Sequence, residues 1–362
     1  MTPPELSRYF WVLEMLASLS SRSQFFPPAI LRSIALHLSV ATLLLVCLSG
    51  CNDARRTVAE AKLDSTPVLI QLNWFPESEH GGVYAAKAAG LYQDLGLDVT
   101  IRPGGQGTRI APELAAGRVQ FAFANADDVV LFRQEGVDAV AVLAAMQNHP
   151  RCILVRADSG VNSFADLPGM ILQRQAGRPF LAFLESKGLL DGVQQVPYAG
   201  SVAALVSDPK TAIQAYSFAE PLLAQQQGVE VRTLMVSELG WNPYSSVLVT
   251  TGEMIREQPE LVRKVVQASQ LGWQRYLTDP AKGNAAILAA NEHGMTAETL
   301  EFGAEGLTKL ALPEGFPIEQ VGMMQQSRWD ELVEQMSELK LVDSAKVNAA
   351  DCFTNKFLQS AN

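Results

Sequence analysis

The chain reads as an α/β protein of two lobes with a hinged central cleft. Three observations predict this. Short apolar runs rich in β-branched and aromatic residues alternate with helical segments, the pattern of sheets covered by helices. The alternation begins near residue 67 and starts afresh from about Asp158. A last strand-like run, 245–250, follows the second set, and the chain beyond it has helical spacing. That run is expected to return to the first lobe, which makes the first lobe discontinuous, with crossovers near residues 157 and 244. Two such crossovers allow closure of the lobes about a small molecule.

The elements follow in order. A strand over 68–73 stops before Pro76, because proline cannot donate to a ladder. Residues 81–90, GGVYAAKAAG, form a short helix closed by Gly90. Gly81 and Gly82 would let a ligand approach its first N–H groups. A strand over 97–102 leads to GGQGT at 104–108, which lacks the lysine and spacing of a phosphate loop. It is either a plain turn or a run of backbone amides facing the cleft, with Thr108 as helix cap. After a strand over 119–124, Asn125-Ala126-Asp127-Asp128 opens a helix that one of the two aspartates caps. Strands over 137–146 and 152–157 complete this set, expected as a parallel sheet.

The second set has strands over 170–173, 194–198, 212–217 and 229–236. Helices begin near Pro179, at Ser201 and at Pro221, two of them with proline in the first turn where its missing N–H costs nothing. The remainder holds helices over 251–257 and 259–277, one from Asp279-Pro280, and one over 319–339. The last carries Val321, Met324, Trp329, Leu332 and Met336 as its core stripe.

Composition excludes several classes. The 362 residues are 48% hydrophobic and 18% charged, enough chain and apolar matter for two ordinary domains. A net charge of −10 without a basic run argues against nucleic-acid binding. At the N-terminus Arg32 precedes an apolar run, 34–50, that ends in Leu48-Ser49-Gly50-Cys51. This is a lipobox: an aliphatic residue, two small ones and the cysteine that becomes the lipidated N-terminus. A membrane anchor is the rival reading, but the run is short and His37 interrupts it. Residues 1–50 are therefore expected to be a signal peptide and 51–66 a polar tether. Residues 67–156 should be the first part of lobe 1, 157–244 lobe 2, and 245–362 the rest of lobe 1. The protein is expected outside the cytoplasm, anchored through lipid on Cys51. Cys152 and Cys352 are expected as buried free thiols, with a disulfide as the alternative. His80, His149 and His293 are too scattered for a metal site, and no cofactor is expected.

The most informative stretch is 73–92, NWFPESEHGGVYAAKAAGLY, where a strand end, a polar turn and a helix start meet. Open α/β sheets bind ligands at such carboxyl ends of strands. Aromatic residues gather at turns: Trp74, Phe75, Tyr84, Tyr216, Phe218, Trp241 and Tyr244. Packing is their ordinary fate, but rings near strand ends suit a flat ligand, each stack contributing about 1–3 kcal/mol. Carboxylates at Asp127, Asp128 and Glu220 could accept hydrogen bonds from an exocyclic amine. The expected contacts are Trp74, His80, Tyr84, Asn125, Asp127, Glu220, Trp241 and Tyr244. A rival, a small oxyanion, would use the helix starts after His80 and Thr108, with Arg109.

Trp74, Pro76 and His80 ahead of a small-residue helix, the order of elements after them, and the Glu220-Pro221 pair carry a family resemblance. Over nearly all of 67–360 the chain resembles ABC-transporter substrate-binding proteins of the thiamine-pyrimidine type, relatives of sulfonate, taurine and nitrate binders. The resemblance implies a type II periplasmic-binding fold and an importer's solute-binding component, with a thiamine-precursor-like pyrimidine as ligand. An ABC permease and ATPase would be its partners, and a monomer is expected. A sulfonate, taurine or nitrate binder is the alternative, and a sensor lipoprotein a third. A eukaryotic relative is a pyrimidine synthase that consumes its own histidine and a pyridoxal cofactor, and His80 matches that histidine. The synthase's cysteine-rich segment is replaced here by GWNPY at 240–244, and no lysine lies between Trp74 and Tyr84. The expectation is therefore a binder and not an enzyme.

Overall fold

A computed structural model of the chain describes residues 65–359. Cys51, the leader and nearly all of the tether lie outside the described residues. None of the described helices is long and apolar enough to cross a membrane.

In chain order the first elements are β1 (Thr66–Gln71), α1 (Gly81–Ala88), β2 (Leu97–Arg102), α2 (Ile110–Ala115), β3 (Phe121–Ala124), α3 (Ala126–Gln134) and β4 (Ala139–Met146). Then come β5 (Arg151–Arg156), β6 (Ile171–Arg174), α4 (Pro179–Ser186), β7 (Gln194–Pro197), α5 (Ala203–Ser207), β8 (Thr211–Tyr216), α6 (Glu220–Gln226) and β9 (Val231–Met235). The chain closes with β10 (Ser245–Thr251), α7 (Gly252–Glu257), α8 (Pro259–Thr278), α9 (Ala281–Ala290), α10 (Ala297–Ala311) and α11 (Gln326–Glu338).

Ten strands form two five-stranded sheets, ordered β2-β1-β3-β10-β4 and β7-β6-β8-β5-β9. β1 pairs in parallel with β2 and β3, whereas β10 runs antiparallel to β3 and β4. In the second sheet β6 is parallel to β7 and β8, and β5 is antiparallel to β8 and β9. Both sheets are mixed, so the all-parallel expectation is corrected. The reversed strands are the ones that enter a lobe from the other lobe, and they arrive from the opposite end.

A second correction concerns β5. Its residues were expected to close lobe 1 at 156, but Cys152 sits opposite Ala215 and Met235 in the second sheet. The first crossover is therefore residues 147–150, upstream of residue 157. The apolar pattern of a strand fixes that it is buried but not which sheet buries it. The helix expected over 319–339 also changes: α11 starts only at Gln326, after a short turn at Ile318–Gln320 and a bridge from Gly322 to Ala144. All five residues of its expected core stripe are nonetheless buried.

Helix α1 is made of small residues because it lies against α8. A β-carbon on Gly82 would stand 2.2 Å from the Trp273 ring, and one on Gly272 2.2 Å from the Gly82 carbonyl oxygen. A β-carbon on Gly81 would meet Tyr276 equally closely. Gly81 and Gly82 thus serve helix packing, and the expected approach of a ligand to these N–H groups is corrected. Strand β4, AVAVLAAM, is buried throughout. A second apolar cluster runs from α2 and β3 through Trp241 and Tyr244 to α4. Cys152 and Cys352 are both free and buried.

Candidate functional site

A cavity of about 60 Å³ lies where the two sheets face each other. The segment after β1 supplies Asn73, Trp74, Glu77 and Glu79; the second lobe supplies Arg151, Gln175, Arg178, Tyr198, Gln214, Tyr216, Ala219 and Glu220. These positions are strand ends: Arg151 opens β5, Tyr216 closes β8, and Glu220 begins α6.

A hydrogen bond and an ion pair tie the lobes across this space, and further bonds hold the groups that make them. Asn125, ahead of α3, donates through Nδ2 to the Tyr216 hydroxyl at 3.0 Å. Its Oδ1 accepts from Ser245 Oγ at 2.8 Å and from the Ser246 N–H at 3.2 Å. Asp128 accepts from Arg178 at 2.7 Å while also accepting from the Asn125 N–H at 3.1 Å, which caps α3. Ser246 has a φ of 51°, and its hydroxyl donates to the Glu79 carbonyl, so the start of β10 holds the turn that carries the carboxylates.

The charged groups are unevenly matched. Glu220 is occupied on both oxygens, by the Tyr216 N–H at 2.8 Å and the Tyr198 hydroxyl at 3.2 Å. Glu79 is 1% exposed, and its Oε2 has no hydrogen-bond partner. Arg151 is 7% exposed, its guanidinium lies 4.2 Å above the Tyr216 ring, and its Nε is buried without a partner.

Burial, opposed by Arg151 and Arg178 and reinforced by Glu220, pushes the Glu79 carboxyl up to about 7. Burial and then the neighbouring Glu79 and Glu220 raise Glu77. Burial also raises Glu220, and burial with the Asp128 charge pushes Asp127 up to about 7. His80, wholly buried, is lowered to about 3 and is a neutral ring. A site in which burial raises this many carboxyls is a candidate functional site on electrostatic grounds.

Of the eight residues expected to contact a ligand, Trp74 and Glu220 line the cavity. Asn125 and Asp127 sit immediately behind it at the start of α3, both buried, and Asn125 reaches Tyr216. The other four are corrected. His80 turns its ring toward Phe123, edge-on at 5.3 Å, and meets the cavity wall from behind, its Nε2 2.9 Å from Asn73 Oδ1 and 3.4 Å from Glu79 Oε1. Tyr84 is buried in the cluster around α1 and α8. Trp241 packs against Phe183 at 5.5 Å, and Tyr244 lies under Arg328 at 3.8 Å with its hydroxyl accepting from the Gln325 N–H. The physical reason is common to the last three: large rings are more stable filling the core than facing water. Arg109 and Thr108, named for the oxyanion reading, do not line the cavity.

Arg151, Arg178, Glu77, Glu79, Tyr198 and the two glutamines were not singled out as contacts from the sequence. One signal was available: Arg151 opens the otherwise apolar run CILV, and a lone arginine at a buried strand's mouth calls for a partner.

Comparison with known proteins places the geometry. The family model described as "NMT1/THI5 like" matches residues 77–283. The riboflavin-binding protein RibY of Chloroflexus aurantiacus is 24% identical over 349 residues, 89% of this chain and 97% of that one. A 4-amino-5-hydroxymethyl-2-methylpyrimidine phosphate synthase of Legionella pneumophila is 22% identical over 303 residues, 80% of this chain and 92% of that one. Among solved structures, the alkanesulfonate-binding protein SsuA from Xanthomonas axonopodis pv. citri superposes with a TM-score of 0.61 at 14% identity, covering 80% of this chain and 99% of that one. That likeness establishes the periplasmic-binding fold.

Proposed function

The chain belongs to the NMT1/THI5-like family, and from that premise we propose that it is the extracytoplasmic solute-binding component of an ABC importer. It captures a small planar heterocycle by closing two lobes on it and leaves the molecule chemically unchanged. The observation that carries this reading is the cavity lined from both lobes, with buried polar groups that lack partners. At about 60 Å³ the cavity is well below the roughly 300–1,000 Å³ of ordinary ligand pockets, so a ring enters as the lobes part. Trp74, Tyr198 and Tyr216 offer ring faces, and Glu77, Glu79 and Glu220 offer acceptors for ring or exocyclic N–H groups. A thiamine-precursor-like pyrimidine fits this chemistry, and so does the flavin ring named for the Chloroflexus relative.

Turnover of the histidine-consuming kind is disfavoured by position. The His80 ring is turned out of the cavity, and the cavity lining contains neither lysine nor cysteine. A sulfonate or similar anion is the second reading, favoured by the unpaired Arg151 and opposed by three carboxylates on the same walls. Lipid on Cys51 would hold the protein at the membrane beside its permease and ATPase.

The test is a thermal-shift screen of the purified chain against pyrimidines, thiamine, riboflavin, sulfonates and oxyanions. A true ligand at 100 times its Kd stabilises by about 2.7 kcal/mol. A sulfonate response with none from any ring compound moves the assignment to the second reading.

A further inference from the structure

Five charged side chains reach the cavity, and their states differ. Arg178 is held by Asp128. Glu220 is held by the Tyr216 N–H and Tyr198. Glu77 is desolvated enough for its carboxyl to be raised, but it is only half-buried and neither of its oxygens is a buried atom without a partner. Two remain, one acidic and one basic, each more than nine-tenths buried: Glu79, with Oε2 unpartnered, and Arg151, with Nε unpartnered. None of the ion pairs among the described residues includes Arg151.

Glu79 Oε1 lies 3.4 Å from His80 Nε2, but Glu79 Oε2 and Arg151 Nε are buried without a hydrogen bond, which is costly in a protein interior. They do not satisfy each other: no oxygen of Glu79 stands within 4.0 Å of Arg151, although both face one cavity. A ligand held in this cavity can satisfy both only if it carries a group for each. The geometry points to an amphoteric ligand. We infer that the site takes a planar ring bearing an anionic or carbonyl oxygen for Arg151 and an amino or ring N–H for Glu79, and that these two residues set its specificity. The inference rests on the solute-binding reading above and sharpens it. It excludes a purely anionic ligand, which would leave Glu79 unserved, and a purely basic one, which would leave Arg151 unserved. The Tyr216 ring beneath the guanidinium, 4.2 Å from its centroid, holds Arg151 in place from below.

The experiment uses isothermal titration of the full chain with four probes built on one ring: pyrimidine, 4-aminopyrimidine, pyrimidine-5-carboxylate and 4-aminopyrimidine-5-carboxylate. Ethanesulfonate and riboflavin are added as outside references. The amino-carboxylate should bind about tenfold or more tighter than either singly substituted ring, the usual scale of a charge-assisted hydrogen bond. Glu79→Gln should weaken only the probes with an amine, and Arg151→Gln only those with a carboxylate. Should Arg151→Gln unfold, Arg151→Lys keeps the charge while losing the fork, and is expected to weaken the same two probes. Equal weakening of all four probes by each variant, or ethanesulfonate binding the wild type more tightly than the amino-carboxylate, overturns the amphoteric assignment alone. If no probe, riboflavin and ethanesulfonate included, binds the wild type, the solute-binding reading falls with it.

Discussion

Asn242, on the second crossover, donates through Nδ2 to Oδ1 of Asn148 on the first, at 2.9 Å. Its own Oδ1 accepts from the His149 N–H at 2.8 Å, and its carbonyl accepts from Arg328 of α11 at 2.6 Å. One side chain thus ties both connections between the lobes, and the C-terminal helix braces them.

Asn242→Ala should therefore cost about 1–3 kcal/mol, because it strands a buried N–H as well as removing two bonds. Urea unfolding measures it. Small-angle scattering of the same variant should show a broader spread of lobe separations; an unchanged profile and midpoint would refute the hinge role.

The Arg178–Asp128 pair at 2.7 Å closes the cleft from lobe to lobe. Both side chains are partly exposed, so Asp128→Asn is expected to cost only about 1–2 kcal/mol. Loss of the pair should also favour the open arrangement and raise ligand Kd. The comparison to make is the radius of gyration with and without ligand.

Glu79 and Asp127 give a pH signature. Their folded-state values, about 7, lie above the usual carboxyl range, so the folded protein keeps protons that the unfolded chain has released. The stability they contribute is complete below about pH 4 and is lost as pH rises through 7. His80, lowered to about 3, acts oppositely: its contribution is complete above about pH 6.5 and is lost on acidification. Melting curves of wild type and Glu79→Gln from pH 4.5 to 8 separate the two. The variant should lose less stability than wild type across that range, by on the order of 1 kcal/mol or more. Parallel curves would disprove the burial of a protonated carboxyl.

Gly272→Ala should destabilise by about 1–3 kcal/mol or more, since its new methyl would meet the Gly82 carbonyl at 2.2 Å and backbone does not yield. Lys87→Ala, exposed on α1, is the control and should stay within about 0.5 kcal/mol. Calorimetric melting temperatures distinguish the two.

The strands were legible because each is a short apolar run bounded by turn residues, a local property of the chain. All ten appear with boundaries shifted by at most a few residues, as in β2 at Leu97–Arg102. The site was legible only in part. Trp74 and Glu220 could be found because they follow strand ends next to proline. Trp241 and Tyr244 have equally suggestive neighbours, Gly240 and Pro243, yet both are buried. A ring beside a turn looks the same in sequence whether it faces a cleft or the core.

Sequence alone determined the succession of strands and helices, the discontinuous first lobe, and the turn at 77–80 that brings acidic residues to a strand end. Only the tertiary structure decided that Arg151 belongs to the second lobe and lines the same cavity as Glu79. The two residues stand 72 positions apart, and nothing local relates their charges. Their juxtaposition depends on which sheet accepts β5, and pairing between distant strands makes that choice.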